Sequence, residues 1–63
     1  MLSITILTDN AAFADDWGEE VARILRGLAG ELTRYGSIGA KGRKGELRDV
    51  NGNLVGDWEA TGN

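Results

Sequence analysis

Residues 16–36 read DWGEEVARILRGLAGELTRYG, and the fold follows from asking what covers one side of them. Wound at 3.6 residues per turn, Trp17, Val21, Ile24, Leu25, Leu28, Leu32 and Tyr35 fall on one stripe, the i, i+3, i+4, i+7 recurrence of a helix with one buried face. Asp16 followed three residues later by Glu19 has capping-box spacing, with the Asp16 carboxylate placed to accept an orphan amide of the first turn. Glu19 and Glu20 stand where the helix dipole favours negative charge, and Arg34 stands in the last turn where it favours positive charge. Gly36 is the left-handed residue that closes such a helix. A helix over 16–36 is therefore expected. Gly27 and Gly30 lie off the stripe among Arg23, Arg26 and Arg34, and each costs roughly 1 kcal/mol relative to Ala in an exposed helix interior. Either packing elsewhere offsets that cost, or another backbone approaches this face closely.

Outward from the helix, residues 2–8 (LSITILT) are mostly β-branched and read as a strand. Leu2, Ile4 and Ile6 give it one apolar face; Ser3, Thr5 and Leu7 give a mixed one. An unpaired edge so rich in Ile and Leu invites aggregation, so this strand is expected to be central or paired on both sides. Residues 9–15 (DNAAFAD) connect strand to helix. Asp9 or Asn10 caps a short turn through Ala14 with a kink at Asp16, or the helix runs unbroken from Ala11; the residues leave both open. Phe13 is expected to tuck under the helix.

Residues 37–45 (SIGAKGRKG) set Gly39, Gly42 and Gly45 around Lys41, Arg43 and Lys44. High backbone entropy and mutual repulsion make this a mobile loop. It carries neither a Walker motif nor a dinucleotide fingerprint, so a phosphate cradle is not indicated. Residues 46–60 (ELRDVNGNLVGDWEA) read as a hairpin turning at Asn51-Gly52 through a type I′ turn. That turn pairs Val50 with Asn53, Asp49 with Leu54, Arg48 with Val55, Leu47 with Gly56 and Glu46 with Asp57. It sends Leu47, Leu54 and Trp58 to one face, and Val50 and Val55 to the other with Glu46, Arg48, Asp57 and Glu59. Gly56 leaves room for a large neighbour, Trp58 or Trp17. Asp49, Asn51 and Asn53 have the spacing that opens a calcium loop, but Leu54 and Ala60 stand where Gly and Glu are needed, and no metal is assigned.

Assembled, the chain is one α+β domain over 1–63, β-α-β-β, with a single helix packed on a three-stranded, mainly antiparallel sheet. Val21, Leu25, Leu28 and Leu32 are expected to pack on Leu47, Leu54, Trp58 and alternate residues of the first strand, with Trp17 and Trp58 in the core, the alternative for either being an exposed interface anchor. The sheet's other face is open, and where Leu7, Val50 and Val55 are exposed on it, a dimer that covers them, or one that extends the sheet edge, is expected.

A core built from 63 residues is marginal without help. There is no Cys and no His, which removes disulfides, thiolate metal sites, cysteine nucleophiles and the usual general base. No nucleophile motif surrounds Ser3 or Ser37, and the chain is short for enclosing a ligand pocket, so neither an enzyme nor a cofactor is expected. No run is long enough to span a membrane and no signal-peptide pattern opens the chain; a cytoplasmic protein is expected.

Charge is the remaining signal. From residue 9 to 20 every charge is negative, at Asp9, Asp15, Asp16, Glu19 and Glu20; from 23 to 44 all are positive except Glu31. Dipole complementarity and solubility account for part of this. Electrostatic recognition accounts for it differently, with fields of one sign selecting partners. An acidic patch of Asp15, Asp16, Glu19 and Glu20 would occupy a basic groove on a larger protein, its carboxylates standing in for phosphates. A basic set of Arg23, Arg26, Arg34, Lys41, Arg43 and Lys44 would bind that partner or nucleic acid, although ten acids against seven bases oppose the nucleic-acid reading. A homodimeric structural accessory is the third class.

The opening ITILTDNAAF, the helix VARILRGLAGEL and the ending LRDVNGNLVGDWEATG resemble the short accessory proteins of bacteriophage genomes. That resemblance implies a phage origin, action inside the host bacterial cell, and inhibition of a host protein, anti-CRISPR proteins that bind effector complexes included. It attaches no catalytic or binding residue to this chain.

Overall fold

The computed structural model describes residues 1–36, 39 and 41–62. The chain runs through strand β1 (Leu2–Ile6), a short 3-10 turn (Ala11–Phe13), helix α1 (Trp17–Thr33), strand β2 (Lys44–Arg48) and strand β3 (Leu54–Ala60). It is the β-α-β-β arrangement expected, one helix on a three-stranded antiparallel sheet of order β1-β3-β2. The first strand ends at Ile6, two residues short of its expected limit, and the helix ends at Thr33 with Arg34 as its cap. Residues 37, 38 and 40 of the expected 37–45 loop lie outside the described residues, and Lys44 and Gly45 belong to β2.

Both ends of α1 follow from its sequence. Asp16 Oδ1 accepts the Glu19 N–H at 3.0 Å, satisfying one orphan donor of the first turn. Gly36 takes φ +57°, the left-handed conformation that ends the run. Asn10 settles the open choice before the helix: its Oδ1 accepts the Ala12 N–H at 2.9 Å, capping a separate turn. That turn carries Phe13 into the core, where Ile24, Leu28, Leu47, Val55, Trp58 and Ala60 join it.

β1 lies at a sheet edge, against the expectation of a central strand. The helical crossover returns the chain to start β2 parallel to β1 and one strand away, and β3 then fills the gap antiparallel to both. Gly56 is what lets β1 close on β3. A Cβ there would overlap the Thr5 carbonyl and the Ile6 Cα, so the large neighbour expected at Gly56 is the β1 backbone and no tryptophan. The glycine that Trp58 packs on is Gly45, where a Cβ would sit 2.5 Å from Nε1. Trp58 is 1% exposed, with Tyr35 tilted beside it at 6.4 Å between ring centroids.

The hairpin differs from a type I′ turn. Gly52 N–H donates to Asp49 C=O at 3.0 Å and Asp49 N–H to Asn53 C=O at 2.9 Å, closing a three-residue loop. Gly52 alone in that loop has positive φ, which is the signature of a type I turn followed by a left-handed residue. The cause is Asp49, whose carboxylate gathers the loop's own N–H groups in an Asx turn. Leu47 still faces Gly56 and Glu46 still faces Asp57, but Arg48 now faces Leu54 across a bulge. The extra residue on β3 turns Val55 inward beside Gly56 and sends Leu54 out. Val55 is therefore core and Leu54 is largely exposed, the reverse of the packing expected for them, and Leu25 is only partly covered, at 39% exposed. Trp17 is 56% exposed and outside the core. It sits on the stripe but one turn ahead of Glu20, beyond the point where the hairpin ends and cover is lost.

Candidate interaction surface

The molecule is 37 Å long and 17 by 16 Å across, so its two ends are separate surfaces. At the hairpin end two buried carboxylates tie three segments together. Asp49, 4% exposed, accepts the N–H of Asn51 and of Asn53 on Oδ1 at 2.9 Å each, and the side-chain amides of Asn53 and Asn10 on Oδ2 at 3.1 and 2.8 Å. Burial pushes its pKa up, and the hydrogen bonds from Asn53, Asn10 and Asn51 outweigh that and hold the carboxyl below its usual range. The 3-10 turn is thereby fastened to the hairpin loop.

Glu20, 7% exposed, fastens the helix to the same loop. Its two oxygens take Arg23 Nε at 2.8 Å and Nη2 at 3.2 Å, and Oε2 also accepts the Val50 N–H at 2.8 Å. The Arg23 bond is the main reason the Glu20 carboxyl titrates below its usual range; burial opposes it and Val50 adds to it. The Arg23 guanidinium is raised in turn by Glu20, and its Nη2 reaches the Arg48 carbonyl at 3.2 Å. Such saturated, ionised carboxylates are poor candidates for acid–base chemistry near neutral pH, and they hold backbone in place instead.

Four large apolar side chains stand exposed around this braced end: Leu7, Trp17, Val50 and Leu54. Leu7 continues β1 with its N–H on the Val55 carbonyl at 2.7 Å, Leu54 opens β3, Val50 is in the loop that Glu20 holds, and Trp17 is the first residue of α1. Three carboxylates of the expected acidic patch share the end. Asp15, Asp16 and Glu19 are exposed, Asp16 serving as the helix cap and Glu19 pairing with Arg26 at 3.1 Å where both side chains are open to solvent. Glu20 is drawn inside and does not present its charge outward.

The six basic residues are not gathered into one patch. Arg23 is held by Glu20 and Arg26 by Glu19. Arg34, Lys41, Arg43 and Lys44 lie towards the opposite end, where the Arg43 guanidinium stacks 4.6 Å over the Tyr35 ring, and none of the four pairs with a carboxylate among the described residues. Sequence reasoning missed Leu54 as a member of the surface, because the bulge that turns it outward is not written in the local pattern, and for Trp17 it preferred the core to the exposed anchor that the structure shows. Asp49 and Asn10 carried the available signal, a turn-forming acid and a capping amide with no partner assigned.

Among the described residues no cluster of acids able to hold a metal ion occurs, and no helix is long and apolar enough to cross a membrane. No family model matches the chain, and no curated protein and no solved structure matches it either.

Proposed function

We propose that this protein binds a larger protein through its hairpin end and modulates or inhibits it without chemistry of its own. The observation that carries the reading is the exposure of Leu7, Trp17, Val50 and Leu54 on a tightly braced frame, next to Asp15, Asp16 and Glu19. Exposed aromatic and aliphatic anchors on a rigid support are what hot spots are made of, because little conformational freedom is lost on binding. The acidic rim selects a partner with a basic surface. The resemblance to phage accessory proteins makes a host defence complex with a basic nucleic-acid groove the first target class to try.

The test uses tagged wild-type chain and two variants in bacterial lysate, with and without nuclease treatment. The expected result is a stoichiometric partner retained by wild type and by a chain with Arg34, Lys41, Arg43 and Lys44 changed to Ala, and lost with Trp17→Ala plus Asp15→Lys. Glu20 and Asp16 are left intact so that folding is not at issue. Equal recovery by the hairpin-end variant refutes the proposal. Recovery that depends on Arg34, Lys41, Arg43 and Lys44 and on intact nucleic acid transfers the function to the opposite end.

A further inference from the structure

The two edges of the sheet are unlike. β2 carries Lys44, Glu46 and Arg48, while β1, LSITI, carries no charge. Charged side chains are a common way for native sheets to keep an edge from pairing, so β2 is guarded and β1 is not. The ladder also fixes which backbone groups β1 offers. Thr61 N–H donates to Met1 C=O at 2.8 Å and Leu7 N–H to Val55 C=O at 2.7 Å, so the odd-numbered residues aim their backbone at β3. Along an antiparallel strand the direction alternates, which turns the N–H and C=O of Leu2, Ile4 and Ile6 to the free edge. Among the described residues no backbone group bonds to them there.

The same three residues place their side chains on the helix side of the sheet, and the helix leaves them short of cover. Arg23 reaches the Arg48 carbonyl, so that flank of α1 lies over β2. Leu25, roughly 200° further round the helix from Arg23, is on the flank towards β1. Leu2 and Ile4 remain 46% and 40% exposed, and Leu25 39%.

We propose that β1 pairs antiparallel with β1 of a second copy of this chain, about a two-fold axis through Ile4. In that register Ile4 faces Ile4 and Leu2 faces Ile6, and every outward N–H and C=O of Leu2, Ile4 and Ile6 is matched. Ser3 faces Thr5 on the other side of the sheet, a favourable hydroxyl pair. LSITI alternates apolar and hydroxyl residues identically in either direction, so the edge is complementary to itself. The same operation on β2 would set Glu46 on Glu46 and Lys44 on Arg48, like charge on like. Pairing through β1 joins two sheets into one with both helices on the same face, and brings the partner's apolar row and helix flank over Leu2, Ile4 and Leu25. It leaves the hairpin end free.

A chain without native cysteine makes the register directly testable. A hydrogen-bonded antiparallel pair sets Cα atoms about 5.5 Å apart, within disulfide range. Under mild oxidation Ile4→Cys alone forms a covalent dimer, Leu2→Cys and Ile6→Cys alone do not, and a mixture of those two does. Sedimentation equilibrium of the wild-type chain shows a mass rising with concentration towards twice 6.7 kDa. Ile4→Pro removes an N–H that β3 does not use, and proline is tolerated at such edge positions; it holds the mass at 6.7 kDa with the near-ultraviolet signal of Trp58 retained. A wild-type chain that stays monomeric throughout, a dimer that survives Ile4→Pro, or self cross-linking by Leu2→Cys overturns the proposal.

Discussion

Replacing Gly27 and Gly30 by alanine should raise the stability of this chain by a large share of its total. Both sit inside α1, both are exposed, and neither takes a positive φ. A Cβ built on either meets no atom within 4 Å, so alanine introduces no clash and removes only the conformational freedom that glycine retains in the unfolded chain. The gain is about 1 kcal/mol at each position, or about 2 for the pair. A domain of this size holds on the order of 3–5 kcal/mol in all. Near the midpoint, 1 kcal/mol shifts Tm by about 4–8 °C in a chain of this length, so the double variant should melt roughly 8–16 °C higher. Circular dichroism in thermal and urea melts reads this directly, with the m value unchanged if the folded and unfolded states keep their exposure. A double variant that melts at or below wild type refutes the reasoning. It would mean that another backbone occupies the glycine face, since none among the described residues does.

Acid sensitivity should trace to two residues. The Glu20 and Asp49 carboxyls both titrate below their ordinary values of 4.5 and 3.8 when folded, so their contribution is fully present above those values and is lost as pH falls through the lower, folded ones. Melts of Glu20→Gln and Asp49→Asn across that range should show weaker pH dependence than wild type, and undiminished dependence would remove the two carboxylates from the account. Gly56→Ala should remove a large share of the stability and lower Tm, because its Cβ meets backbone of β1 that cannot rotate away and overpacking costs typically about 1–3 kcal/mol. A cooperative melt close to wild type would show that β1 can be displaced at little cost.

What was legible in the sequence were the features written in local chemistry. The helix announced itself by period and caps, and Asp16 caps it as its spacing implied. The pairing of Leu47 with Gly56 followed from the hairpin centre. What failed was decided by contacts distant in sequence. Asp49 is drawn inward by Asn10, 39 residues away, and that choice converts the turn, inserts the bulge and exchanges Val55 for Leu54 in the core. Trp17 matches the helical period as well as Ile24 does, but period says nothing about where the opposing surface stops. Glu20 looked like one more acid of a helix start; only the position of Val50 made it a buried clasp.

The middle strand of the sheet is the last to be synthesised. Within the sheet β1 pairs with β3, through contacts as far apart as Met1 and Thr61, so it has no strand partner in its own sheet until residues 54–60 arrive. Closing so long a loop before any reward slows folding. During that delay an uncharged, Ile-rich segment is available to any neighbouring nascent chain. A messenger translated by closely spaced ribosomes would bring identical segments together at that moment, and the yield of native protein should then depend on how densely it is loaded.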